Sequence, residues 1–147
     1  MKKVTVNKAK KNDLNWINAK YCEIGFVKSN YENEYIVIAK VENVNAGLGR
    51  LVKIDEYNIE LGGIYTFSKF RGLGVAQYIV RNLCSKNPFG NANIWCLPFE
   101  NLYEFYSKFG FEHCTTIKGP QVVFEKLKWC NSENKYDKKV ILLCKLL

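Results

Sequence analysis

The chain is poor in the residues that most often mark a chemical centre. It holds one histidine, His113, and no two of its six cysteines stand in a C-x-x-C pair. Zinc-type spacing is missing and no metal is expected; the thiols read as buried side chains in a reducing compartment. No apolar run approaches the ~20 residues needed to span a bilayer, so a membrane is not an expected partner. No secretory signal precedes the fold, and the cytoplasm is the expected location. No repeat, low-complexity tract or linker interrupts the 147 residues, a usual length for one domain, 1–147.

Acids are absent from residues 1–11, which carry five lysines (Lys2, Lys3, Lys8, Lys10 and Lys11) of a chain whose net charge is +8. This stretch reads as a solvated, partly mobile end. No aromatic-rich binding motif accompanies the lysines, so nucleic acid is not an expected partner. A positive protein does suit a polyanionic small cofactor. Apolar residues make up 48 % of the chain, enough for a sizeable core and against global disorder.

Hydrophobic spacing orders the elements. Val4-Thr5-Val6 reads as a short strand, and residues 13–25 as a helix with Leu14, Ile17, Tyr21 and Ile24 on one face, stopped by Gly25. Tyr35 to Val41, Leu48 to Ile54 and Ile59 to Phe67 read as strands. Asn45-Ala46-Gly47 and Asp55-Glu56-Tyr57-Asn58 turn the chain between them, which implies an antiparallel meander. Val75, Ala76, Ile79, Val80, Leu83 and Cys84 mark the next helix, ended by Asn87-Pro88-Phe89-Gly90. Ala92 to Leu97 follows as a strand expected to pair in parallel with the strand before that helix. Leu102, Phe105, Tyr106 and Phe109 form a helical stripe closed by Gly110. Phe111 to Ile117 is strand-like. Residues 121–130 look helical, with Val122, Val123, Leu127 and Cys130 as inner positions. A polar loop spans Asn131 to Lys139, and Val140 to Leu147 is a last strand. The order predicts one α+β domain on a mixed, mostly antiparallel sheet flanked by helices.

Residues 70–80, FRGLGVAQYIV, put two glycines between a strand and a helix start. Two phosphate-binding motifs fail here. A Walker loop needs G-K-[ST], and Gly74 is followed by Val75-Ala76; a dinucleotide fingerprint needs Gly or Ala where Gln77 stands. A glycine turn opening a helix still leaves several N–H groups pointing outward, and these bind phosphate oxygens without a lysine. Arg71 can add a charge-assisted contact. A turn that binds nothing fits the same residues.

The pattern R-x-x-G-x-A, Arg71 to Ala76, resembles the pyrophosphate-binding motif of the GNAT superfamily, the acyl-CoA-dependent N-acyltransferases. The strand Glu60-Leu61-Gly62-Gly63-Ile64-Tyr65-Thr66-Phe67 resembles the family's fourth strand. Leu102-x-x-Phe105-Tyr106-x-x-Phe109-Gly110-Phe111 resembles its second signature. The element order matches best over 35–117. One helical run stands near the start where the family commonly has two, and the run at 121–130 looks like an addition. Both departures lie where such folds shape the acceptor pocket.

The resemblance implies acetyl (acyl) transfer from acetyl-CoA to a primary amine by direct attack. It places the CoA pyrophosphate on the main chain of Gly72, Leu73, Gly74, Val75 and Ala76 with Arg71 beside it. The pantetheine arm would lie along Ile64, Tyr65, Thr66 and Phe67. Amides of that strand would donate to the thioester oxygen, where charge develops. Gly62 and Gly63 suit a bulge or a close approach. Tyr106 is the expected general acid for the leaving sulfur, with an aromatic core position as its plainer reading. Glu60 is the expected base for an ammonium of pKa ~10.4, with a water chain as the alternative. His113 is expected to be structural, and Cys96 lacks the base a nucleophile needs. Trp129 and Cys130 read as core rather than as pocket lining. The acceptor, a small molecule or a peptide, is not legible, and a homodimer is left open. Two other functions fit the same sequence: a non-catalytic CoA-binding module, and a basic nucleic-acid adaptor.

Overall fold

The computed structural model describes residues 2–115, 118–132 and 135–147. Along the chain run β1 (Val4–Lys8), α1 (Leu14–Glu23), β2 (Glu34–Val41), β3 (Val44–Asp55), β4 (Asn58–Thr66), α2 (Val75–Ser85), β5 (Asn93–Cys96), α3 (Tyr103–Ser107), β6 (Glu112–His113), α4 (Gln121–Cys130) and β7 (Leu143–Lys145). The strands form one mixed sheet in the order β1-β2-β3-β4-β5-β7-β6. The expected α+β architecture is the observed one. The chain divides into two compact units, Met1–Val52 with Gly62–Pro88, and Lys53–Leu61 with Phe89–Leu147.

In the first unit β2 pairs antiparallel with β1 and with β3. The basic start is therefore tied down: Val4 to Lys8 ladder onto Val41 to Val37, and Ala9 is buried. The strand expected at Val4-Thr5-Val6 thus runs on to Lys8, because its apolar residues find β2 to pair with. The β2–β3 turn also differs from expectation. Glu42 (φ 48) and Asn43 (φ 67) make it, and Asn45-Ala46-Gly47 lies inside β3. The glycine at 47 serves packing instead. A Cβ there would stand 2.8 Å from the Tyr65 carbonyl oxygen, and one at Gly49 would stand 2.3 Å from Ile79 Cγ2.

Alternation along β3 thus sends Gly47 and Gly49 toward α2 and Leu48 to the other face, where Ile17 and Tyr21 of α1 pack with Ile36 and Ile38. The α2 stripe buries Val75, Ile79, Val80 and Leu83, with Ala76 and Cys84 half-buried. Each fully buried aliphatic side chain contributes about 1.5–3 kcal/mol.

In the second unit β5 pairs in parallel with β4 from Asn58↔Asn93 to Leu61↔Cys96, as expected for a strand–helix–strand segment. β7 pairs antiparallel with β5 and with β6. Trp95, Val123, Leu142 and Cys144 centre the core. Several lengths differ from expectation. Among the described residues of Phe111 to Ile117 only Glu112–His113 is strand, and Thr116 and Ile117 lie outside them. The last strand is Leu143–Lys145, with Val140 bridged singly to Phe99. In α4, Val123 and Cys130 are buried as expected, but Val122 is 54 % and Trp129 53 % exposed, which removes both from the core. Nor are all thiols buried: Cys22 is exposed, Cys84 and Cys114 are half-buried, and Cys96, Cys130 and Cys144 are buried.

Candidate functional site

In the first unit, a 3-10 turn at Ser68–Phe70 leads to Arg71 in extended backbone and then to two left-handed glycines, Gly72 (φ 82) and Gly74 (φ 76). Gly74 is the N-cap of α2 and offers no side-chain cap; the Tyr78 N–H donates to the Gly74 carbonyl, 3.3 Å. The amides ahead of Tyr78 are the ones a helix start leaves without intrahelical partners. A Cβ built at Gly72 or Gly74 would meet nothing within 4 Å. These glycines answer to backbone shape, not to crowding, and the space over their main chain is open. The helix macrodipole adds positive character there, and Arg71 is exposed beside it. The arrangement fits an anionic diphosphate.

The second feature of this unit is the end of β4. Gly63 has φ 60, and a Cβ there would stand 2.7 Å from the Tyr21 hydroxyl and 2.8 Å from Arg50 Nε. Only glycine fits, on both counts. Its carbonyl accepts the Tyr21 O–H at 2.7 Å. Beyond it, Tyr65 and Phe67 turn to the α1 face, their rings edge to face at 5.0 Å and Phe67 against Trp16 at 5.9 Å. Ile64 is on the α2 side, where its Cδ1 lies beside Gly49. The Phe67 N–H donates to the Ala46 carbonyl, 2.8 Å.

Sequence reading missed the charged group beneath this strand. Arg50, 9 % exposed, lies 4.3 Å from the centre of the Tyr21 ring. Its Nη1 donates to the Val27 carbonyl (3.0 Å) and to Ser29 Oγ (2.5 Å), and lies 3.9 Å from Glu34 Oε1. Glu34 Oε2 accepts the Asn30 N–H, 2.8 Å. The Asn18 side chain clasps Ser29 by accepting its N–H (2.7 Å) and donating to its carbonyl (3.3 Å). Burial pushes the Tyr21 hydroxyl far above the ordinary tyrosine range, with Arg50 opposing and Glu34 reinforcing. The available signal was a charged residue inside the apolar strand Leu48 to Ile54.

The second unit holds Glu60 and Tyr106. Glu60 stands on β4 with its side chain 15 % exposed, and its Oε2 accepts from Lys126 Nζ of α4 at 2.6 Å. Tyr106 is buried on α3, 6 % exposed, its ring set edge-on to Phe105 (4.9 Å) and Phe111 (6.0 Å). His113 stacks on Tyr103 at 4.3 Å, in line with a structural role. Cys96 is buried at the end of β5. Burial raises the Cys130 thiol, with Lys126 opposing and Glu60 reinforcing. The ten expected coenzyme residues thus lie in the first unit, and the expected acid and base in the second. Among the described residues, no three histidine, cysteine, aspartate or glutamate side chains could hold a metal ion, and no helix is long and apolar enough to cross a membrane.

Residues 9–111 match the sequence profile of the family described as Acetyltransferase (GNAT). No curated protein matches the sequence. Among solved structures, Rv2747 from Mycobacterium tuberculosis in complex with CoA and NLQ has a TM-score of 0.71 at 17 % identity, over 97 % of this chain and 99 % of that one. Arabidopsis thaliana Naa50 with the bisubstrate analogue CoA-Ac-MVNAL has a TM-score of 0.66 at 18 % identity, over 98 % of this chain and 99 % of that one. N-acetylglutamate synthase from Neisseria gonorrhoeae, complexed with coenzyme A and L-arginine, has a TM-score of 0.70 at 14 % identity; the match covers 98 % of this chain and 33 % of that one. At these identities the likeness is one of fold.

Proposed function

The chain belongs to the GNAT acetyltransferase family, and from that premise we propose that it transfers an acetyl group from acetyl-CoA to a primary amine by direct attack. The observation that carries the reading is the open, left-handed glycine turn at the start of α2, immediately after a strand bent at a glycine that admits no side chain. Bound acetyl-CoA supplies the acetyl group as a thioester: the amine nitrogen bonds to the carbonyl carbon and the carbon–sulfur bond breaks.

The residues divide the work by place. Main-chain N–H groups from Gly72 to Ala76 hold the diphosphate, and Arg71 adds charge at its edge. The main chain of Ile64, Tyr65, Thr66 and Phe67 carries the pantetheine arm; the Phe67 amide is held by the Ala46 carbonyl, and the Ile64 amide faces the thioester oxygen. A donor of that kind typically stabilises the transition state by ~3 kcal/mol. Glu60, or a water chain, takes the proton from the incoming ammonium. Tyr106 gives its phenolic proton to the leaving sulfur and recovers one from solvent. The acceptor is an alkyl amine. The CoA–peptide conjugate bound to the Naa50 neighbour supports a peptide terminus as a class to test, beside small amines.

Thermal unfolding with added coenzyme tests the cradle. CoA at 100 times its Kd should stabilise the protein by about 2.7 kcal/mol. A panel of peptide and small amines, read by mass of the acetylated product, tests the transfer. No shift at millimolar CoA would remove the reading; a shift without transfer to any amine would leave a CoA-binding module.

A further inference from the structure

The buried group around Arg50 joins two parts of the first unit that the proposed chemistry treats separately. One is the segment after α1. Its Val27 carbonyl and Ser29 hydroxyl accept from Arg50 Nη1, and its Asn30 N–H donates to Glu34. The other is the bend in β4, where the Gly63 carbonyl accepts from Tyr21. Arg50 bridges them, since its guanidinium lies over the Tyr21 ring at 4.3 Å and its Nε borders Gly63. Phe26 stacks on the same tyrosine at 5.8 Å and donates its N–H to the Tyr21 carbonyl at 2.9 Å.

Peptide geometry makes this group more than a brace. Among the described residues the peptide bonds are trans, so the C=O and N–H of one unit point in opposite directions. The Gly63 carbonyl and the Ile64 N–H belong to one unit. A hydroxyl that fixes the first fixes the direction of the second. At φ 60 glycine has neighbouring conformations to choose from, so the direction needs an anchor. A fully buried tyrosine, whose hydroxyl keeps its proton well past neutral pH, supplies one.

We propose that Tyr21 and Arg50 are positioning residues for acyl transfer: Tyr21 aims the Ile64 amide at the thioester oxygen, and Arg50 couples that aim to the seating of residues 26–30. The inference rests on the acetyltransferase reading above. Glu34 completes the group. Its Oε1 is buried without a hydrogen-bond partner and faces Arg50 at 3.9 Å, so it balances the guanidinium without drawing it off the Val27 carbonyl and Ser29 hydroxyl. A buried polar atom left in this way has an energetic cost, which an electrostatic holding role accounts for.

The test compares the wild type with Tyr21→Phe, which keeps the ring under Arg50 and removes only the hydroxyl. Three readouts are taken: CoA affinity by calorimetry, kcat and KM with an amine the wild type accepts, and the infrared carbonyl band of bound 13C-labelled acetyl-CoA. The expected result is a kcat lower by about tenfold or more, CoA affinity within about twofold, and a carbonyl band moved back toward its position in water. Lost folding stability alone would not move that band. Arg50→Lys keeps a charge beside Glu34 and loses the guanidinium fork. It should raise the acceptor KM more than it lowers CoA affinity, and speed amide exchange at Phe26 and Ser29. A Tyr21→Phe enzyme with wild-type kcat and an unmoved band overturns the inference and leaves the function standing. A wild type that binds no acetyl-CoA overturns the function, and the inference with it.

Discussion

Glu60 and Lys126 meet at 2.6 Å across 66 residues of sequence, a strand carboxylate held by an ammonium of α4. The helix carrying Lys126 is the segment that looked like an addition to the family pattern, so the addition is fastened to the expected base. Lys126 is about half exposed, and such a pair contributes only about 0–1 kcal/mol after screening. Lys126→Ala should therefore change thermal stability little. Glu60→Gln should lower kcat by about 10²–10⁴-fold if this carboxylate is the base. Steady-state rates for both variants decide it: an undiminished Glu60→Gln rate gives the proton to a water chain.

Tyr106 differs from a generic core aromatic by one oxygen atom. Tyr106→Phe preserves the edge-on contacts with Phe105 and Phe111 and takes away the acid. The expected outcome is a kcat reduced by at least about tenfold with an unchanged CoA dissociation constant. Calorimetry beside turnover measures both. The loss should shrink when the leaving thiol is made more acidic, because less protonation is then needed.

Long, strongly periodic elements were legible in the sequence: α1 within two residues at either end, α2 from Val75, and β5 as a parallel partner of β4. One glycine has other work than its type suggests: Gly47 reads as a turn because glycine usually marks one, whereas it clears room for α2 and the turn falls to Glu42 and Asn43. Trp129 and Val122 were assigned inward by type, while α4 turns both toward solvent. The expected coenzyme residues fall in two short runs, 64–67 and 71–76, and so could be proposed from local motifs. Arg50, Glu34 and Tyr21 could not: they come from three elements and converge only through strand register and the fold of the segment after α1.

The thiols should separate by reactivity and by pH. Cys22 is exposed and should react first with a thiol reagent in the native protein. Cys144 is 5 % exposed and should react only on unfolding. Burial, with the neighbouring Cys114 thiol reinforcing it, pushes Cys144 from 9.0 up to about 11. A folded-state value above the unfolded one means that the stabilising contribution is whole below pH 9 and fades as pH rises through about 11. Melting temperature against pH should fall over that window in the wild type and less steeply in Cys144→Ala. Parallel curves would show that another group governs the alkaline limb.

Gly49 and Gly72 make opposite predictions from the same substitution. At Gly49 a methyl group would arrive 2.3 Å from Ile79 Cγ2 and 3.2 Å from a Leu83 methyl, so Gly49→Ala must push α2 away from the sheet. Overpacking of that kind typically costs about 1–3 kcal/mol. At Gly72 there is nothing to strike, but φ is 82, and the left-handed backbone costs an alanine about 1–2 kcal/mol. Similar losses of stability thus have different physical origins, and a double-mutant cycle separates them. Ile79→Ala removes the struck carbon, so its combination with Gly49→Ala should be less damaging than the two single effects added. Combined with Gly72→Ala it should be additive. The two sites also part in function: Gly72→Ala reshapes the main chain proposed to hold the diphosphate and should weaken CoA binding. Gly49→Ala strains α2 from its middle and should leave affinity nearer to wild type once the folded fraction is accounted for.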